Sequence, residues 1–163
     1  MSAVARFIIF DKANINQIAD SSKIITKRKL FKKEVTDNYY PTLEASSELV
    51  DEYEGNGYIY GTLLVYLDQV KSIDISSGEL DKYSNIISQN RTNSSILFTQ
   101  EQKEIFNQKV ANIDFESEEF QNFCIEFTGN DSEIKYAKKA IETLSYSLNK
   151  ITDNSKALLV EIG

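Results

Sequence analysis

The chain has 163 residues, 41% of them apolar and 26% charged. That length suits one domain and can bury roughly 70% of the unfolded chain's surface, enough to fold without a disulfide or metal staple. Its formal net charge is −7, it contains a single cysteine, Cys124, and it has no histidine. One cysteine excludes an internal disulfide, and the missing histidine excludes Ser-His-Asp and Cys-His catalysis and every His-containing zinc site.

Charge is unevenly distributed. Residues 1–37 carry eight Lys/Arg against four Asp/Glu, a balance of +4, and the remainder carries ten against twenty-one, a balance of −11. The acidic part would steer towards a basic partner, and such a balance argues against general nucleic-acid binding. No run reaches the 18 apolar residues of a membrane span, and the N-terminus lacks a signal peptide's apolar region. The expectation is a cytoplasmic protein with no membrane association.

Residues 4–10 read as a short buried strand and residues 13–20 as a weak helix. Lys23 to Thr36 mixes β-branched, aromatic and basic residues and reads as one strand or two. Gly55-Asn56-Gly57 is the strongest turn signal, because Asn-Gly suits a tight hairpin. After it, Tyr58 to Val70 reads as a strand with Ile59, Leu63, Val65 and Leu67 on one face and Tyr58, Tyr60, Leu64 and Tyr66 on the other. Leu49 to Glu54 would pair back across the turn as the second arm, or would form a helix ending at Gly55. Leu80, Tyr83, Ile86 and Ile87 suggest a short helix, and Thr99 with Gln102 forms a capping box ahead of another.

In the C-terminal third, Phe123, Ile125 and Phe127 alternate as a strand, with Cys124 and Glu126 opposite. Gly129-Asn130 turns the chain and Asp131 or Ser132 caps an amphipathic helix, in which Ile134, Ala137, Ile141, Leu144, Leu148 and Ile151 recur every three or four residues. Ala157 to Ile162 is a last strand. The fold class expected is α+β: one domain spanning 1–163, with a mixed, mostly antiparallel sheet. Its helices are expected mainly on one face, and its C-terminus should form a β-α-β unit.

Three features compete for function. The acidic residues Glu44, Glu48, Asp51, Glu52, Glu54, Asp114, Glu116, Glu118 and Glu119 could pair with a basic protein, or simply form a solvated face. Tyr53, Tyr58, Tyr60 and Tyr66 could supply a binding surface, since tyrosine buries large area at low entropy cost, or could cover the sheet beneath a helix. Lys23, Lys27, Arg28, Lys29, Lys32 and Lys33 could contact phosphates, or could stud an edge strand against unwanted pairing.

For catalysis, Glu101-Gln-Lys103 and Glu133-Ile-Lys135 have a Glu-x-Lys spacing that suits metal-dependent phosphodiester cleavage, but on helices rather than a strand. Cys124 has no histidine to activate it, and no phosphate-binding loop or nucleophile elbow is present. The leading expectation is a non-enzymatic, cofactor-free and metal-free protein-binding module, a small acidic neutraliser of a basic partner in the manner of immunity proteins or antitoxins. A nucleic-acid-associated protein and a carboxylate- and metal-dependent enzyme are the alternatives.

Overall fold

The computed structural model describes residues 3–29, 32–129 and 134–163. Four strands form the main sheet: β1 (Ala5–Asp11), β4 (Ser47–Tyr53), β5 (Ser94–Phe98) and β6 (Lys156–Ile162), in the order β4-β1-β6-β5 with every pair antiparallel. Two further strands, β2 (Ile25–Lys29) and β3 (Lys32–Thr36), pair only with each other. The helices are α1 (Ile15–Ser21), α2 (Tyr39–Ser46), α3 (Ile59–Gln69), α4 (Asp81–Arg91), α5 (Gln100–Ile105), α6 (Glu118–Thr128) and α7 (Ile134–Leu148). A π-helical turn, Phe106–Val110, prolongs α5.

The expected α+β class holds, and the alternation of the central strands explains the layering. In β1, Ala5 and Phe7 point to one face and Ile8 and Phe10 to the other; in β6, Leu158, Val160 and Ile162 oppose Ala157 and Leu159. Both faces are apolar, so both need cover. Side chains of α3, α5, α6 and α7 close the first core and those of α1, α2 and α4 close the second. Helices therefore lie on both faces rather than mainly on one. The chain ends meet at the sheet, where Val4 N–H donates to Gly163 O at 3.0 Å and Gly163 N–H returns to Val4 O at 3.1 Å.

Two expected strands are helices. Tyr58 to Val70 contains α3, whose buried residues Ile59, Tyr60, Thr62, Leu63, Tyr66 and Leu67 follow a period near 3.6 rather than 2. No hairpin precedes it. Leu49 to Glu54 does contribute a strand, β4, but it pairs with β1 and not with the residues after the turn. Gly57 N–H instead donates to Ala3 O at 2.8 Å, and a Cβ at Gly57 would lie 3.0 Å from Ala5 N. Glycine is therefore there for close packing against the N-terminal strand.

Phe123, Ile125 and Phe127 likewise belong to α6. Ser117 caps its start by accepting from Phe120 N–H at 3.4 Å, Glu118 and Glu119 complement the positive end of the helix, and Gly129 closes it in the left-handed conformation at φ 77°. The anticipated β-α-β crossover is consequently absent: α6 and α7 follow one another, and β6 enters the sheet antiparallel to both neighbours. The proposed caps Asp131 and Ser132 lie outside the described residues. From Ile134 onward α7 matches the expected pattern, with Ala137, Ala140, Leu144 and Leu148 buried. The Thr99–Gln102 capping box is also present, with Thr99 N–H donating to Gln102 Oε1 at 2.9 Å.

Candidate functional site

Strand β4 is an edge of the main sheet, and its sequence, Ser-Glu-Leu-Val-Asp-Glu-Tyr, places acids where an unpaired edge faces solvent. A register shift opposite Phe7/Ile8 leaves Val50 without a partner on β1, which bends the edge further from a flat pairing surface. Beside β4 runs α7, and between them lie three concavities of about 470, 500 and 250 Å³. They share walls: Asp51, Lys139 and Thr143 line the first two, and Val50 and Tyr146 line the last two. The result is one continuous groove.

Its strand wall carries Glu48, Asp51, Glu52 and, just past β4, Glu54; its helix wall carries Tyr136, Lys139, Glu142 and Tyr146, with Lys150 just past the helix end. Three large hydrophobic side chains beside it remain open to solvent, Leu49 at 57%, Tyr146 at 51% and Tyr136 at 40%. The Lys150 ammonium lies 4.6 Å from the centre of the Tyr146 ring. Negative charge concentrates at the Asp51–Glu54 end, where Lys139 is the single cation of the lining.

The expected tyrosine surface is divided. Tyr58 is 55% exposed, but Tyr60 and Tyr66 are buried in the first core and cannot meet a partner. Tyr53 is also buried; it packs edge-on against Tyr60 at 5.4 Å, and its hydroxyl donates to Tyr136 O at 3.2 Å. Tyr53 thus fixes β4 to α7 and shapes the groove rather than presenting its ring.

The second acidic group has structural tasks of its own. Asp114 Oδ1 accepts from Glu116 N–H at 2.8 Å, Glu116 approaches Lys138 at 3.5 Å, and Glu119 accepts from the Tyr66 hydroxyl at 2.9 Å and pairs with Lys71. The hydrogen bond from Lys71 and then that from Tyr66 hold the Glu119 carboxyl below its ordinary value. Asp114, Glu116, Glu118 and Glu119 all lie away from the groove lining.

The basic cluster forms a free hairpin. Lys27 pairs with Glu34, Arg28 with Lys33 and Lys29 with Lys32. Lys23, Lys27, Arg28, Lys32 and Lys33 are exposed, as is every residue of β3. Both strands of the hairpin are edges of a two-stranded sheet, so the lysines do stud edge strands, though not those of the main sheet.

One network went unanticipated. Glu161, on β6, is 4% exposed and accepts from the Tyr39 hydroxyl at 2.6 Å and from Asn93 Nδ2 at 3.4 Å. Burial, and then the charge of Glu161, push the Tyr39 phenol far above its usual range, so it stays a donor. The Arg91 guanidinium lies 4.9 Å and 5.0 Å from the Tyr39 and Tyr40 ring centres and bonds Asp37 Oδ2 at 2.8 Å. The hydrogen bond from Arg91, and next that from Tyr39 N–H, hold the Asp37 carboxyl below 3.8. A depressed folded-state pKa stabilises fully above 3.8 and loses its effect as the pH falls through the folded value. Asp37→Asn is expected to cost about 0.5 kcal/mol at neutral pH, a figure discounted for partial exposure. Urea titrations of both proteins should converge as the pH is taken well below 3.8.

Among the described residues no group of three or more His, Cys, Asp or Glu side chains is placed to hold a metal. Glu101 and Lys103 sit on α5, where one turn of helix does not set them up as a strand would, and Glu133 lies outside the described residues. Cys124 is fully buried in α6 rather than on a strand. No described helix is long and apolar enough to cross a membrane. No family model matches the chain, and no significant match is found among curated proteins or solved structures. What defines this molecule is thus its own geometry: an α+β fold with an acidic edge strand walled by a helix.

Proposed function

We propose that this protein is a protein-binding module, a small acidic neutraliser of a basic partner of the immunity or antitoxin kind, acting in the cytoplasm. The observation that carries this reading is the continuous groove between β4 and α7, where solvent-exposed Leu49, Tyr136 and Tyr146 lie beside a wall of four carboxylates. Aromatic and aliphatic anchors ringed by charge are what binding hot spots are made of. The partner's basic segment lies along the carboxylate wall, and masking is steric and electrostatic. Lys139 and Lys150 flank Glu142 on the far wall, so the cations stand at two points of the groove and favour particular placements of a charged segment.

The test is recovery of one partner from the native host, repeated with variants. Leu49→Asp and Tyr146→Ala change exposed side chains and leave the fold intact. They are expected to reduce recovery by about tenfold or more, as loss of a central anchor does. Unchanged recovery with both variants rules out the groove.

A second reading is favoured by the free hairpin. A two-stranded ribbon fits the major groove of a duplex, and β2–β3 presents Lys27, Arg28 and Lys33 to solvent apart from the main sheet. Duplex binding near 0.15 M salt that disappears in Lys27→Glu/Arg28→Glu/Lys33→Glu, together with partner recovery indifferent to the groove variants, would replace the first reading by this one.

A further inference from the structure

Across β4 from the groove, and sharing Leu49 and Glu52 with it, a further pocket of about 290 Å³ lies between α2 and the strands β4, β1 and β6. Ile8, Leu43, Leu49 and Tyr40 make its walls largely apolar. Glu44 and Glu52 add two carboxylates, and a third comes from Glu161, which is nine-tenths buried. Both hydrogen bonds to Glu161, from Tyr39 and Asn93, fall on Oε1; among the described residues none reaches Oε2.

Nor does any described cation pair with Glu161. Arg6 sits opposite it across β1 and β6, yet its nearest carboxylate is that of Glu52 on the other side, at 3.5 Å. Arg91, which stacks on Tyr39 and Tyr40, is held by Asp37. The lining therefore combines three carboxylates with one arginine; among the described residues Glu52 alone of the three is paired, and of the two without a cation, Glu44 and Glu161, Glu161 is the buried one. Oε2 is open to the pocket, so a cation there would add a charged partner to the two neutral donors on Oε1.

We infer that this pocket binds one organic cation, an alkyl ammonium or alkyl guanidinium. Its head pairs with Glu161 Oε2 and its hydrocarbon stem lies against Ile8, Leu43, Leu49 and the Tyr40 ring. The apolar walls suit a three- or four-carbon stem, as in the side chains of lysine and arginine. The pocket's three carboxylates are not grouped closely enough, among the described residues, to hold a metal ion. The same chemistry arrives either as a free small amine or as a side chain of a bound polypeptide. The pocket shares Leu49 and Glu52 with the groove, whereas Glu161, Tyr40 and Leu43 belong to the pocket alone.

The test is an NMR titration of the isotope-labelled full chain with n-butylammonium, n-butylguanidinium and, as the neutral control, n-butanol. Saturable shifts at Arg6, Leu49 and Glu161 with both cations and none with butanol are expected. Glu161→Gln keeps an oxygen for the Tyr39 hydroxyl and should weaken the cations about tenfold or more, the worth of a charged hydrogen bond. Glu44→Lys is on the surface, so it folds whatever Glu161→Gln does, and should weaken them about threefold. Arg6→Gln removes the internal cation and should tighten them by a similar factor, about threefold. Absence of saturable shifts in both the native protein and Arg6→Gln overturns the inference. So does affinity unchanged in Glu44→Lys and in any folded Glu161→Gln. A capped pentapeptide with a central lysine settles the source: binding about tenfold tighter than n-butylammonium assigns a polypeptide side chain, and no gain assigns a free amine.

Discussion

Tyr66→Ala is expected to cost about 3–5 kcal/mol, the range for truncating a large buried ring. The Tyr66 ring is fully buried and touches three others, Phe120 at 4.9 Å, Phe123 at 5.2 Å and Phe115 at 6.1 Å between centroids. It joins α3 to α6 and to the turn before α6. Domains of this size are stable by about 5–15 kcal/mol, so the variant would lose a large share of the total. Tyr60→Ala should behave alike, since Tyr60 packs edge-on against Phe7 at 5.3 Å and Tyr53 at 5.4 Å. Tyr58→Ala, by contrast, alters an exposed ring and should stay within about 0.5 kcal/mol of the native protein. Urea midpoints at constant m-value measure all three. Equal effects at 58, 60 and 66 would signify a strand bearing the three rings on one face, and would refute α3.

That contrast shows where sequence reasoning reached and where it stopped. Strands β1 and β6 were legible as short apolar runs and helix α7 by its three- and four-residue apolar spacing, although α7 ends at Leu148 and leaves the expected Ile151 beyond it. The segment from Tyr58 to Leu67 is apolar at most positions, so alternation and helical spacing both fit it, and tyrosine's β-propensity tipped the balance wrongly. Asn-Gly added to the error: neither Asn56 nor Gly57 adopts the positive φ a type I′ turn requires.

In α6 the alternating Phe123, Ile125 and Phe127 are the half-buried and exposed residues, whereas the helix buries Phe120 and Cys124, one turn apart. Ser117 before two glutamates, with Gly129 at the far end, were the start and stop signals that outweighed the alternation. Of the groove, the strand wall was legible as an acidic run. The helix wall was not, since nothing local says that β4 lies along α7. Tyr136, Lys139, Thr143, Tyr146 and Lys150 do recur at steps of three and four, a stripe beside the buried one that could have marked a second surface. Glu161 left a fainter trace, one acid in a final strand that is apolar from Ala157 to Val160.

Charge reversal at the acidic end of the groove should then separate steering from anchoring. Asp51→Lys/Glu52→Lys/Glu54→Lys is expected to slow association with a basic partner by about ten- to a hundredfold at low salt, because complementary fields raise on-rates by that order. Asp51, Glu52 and Glu54 are partly or fully solvent-facing, and the one ion pair lost is Arg6–Glu52, itself half-exposed, so folding should survive. Raising the ionic strength should slow the native protein and have little or opposite effect on the variant, since screening acts within about 10 Å at 0.1 M. Tyr146→Ala should instead speed dissociation and leave the association rate nearly unchanged, because an anchor acts after encounter. Reversal of Asp114, Glu116 and Glu118, which lie off the groove, should slow association less than reversal at the strand end. Surface-plasmon kinetics over a salt series reads all three variants. If the Asp114–Glu118 reversal has the larger effect, the partner docks at the start of α6 and not at β4. A salt-independent on-rate in the native protein would mean that the carboxylate wall keeps the edge strand from pairing and has no part in recognition.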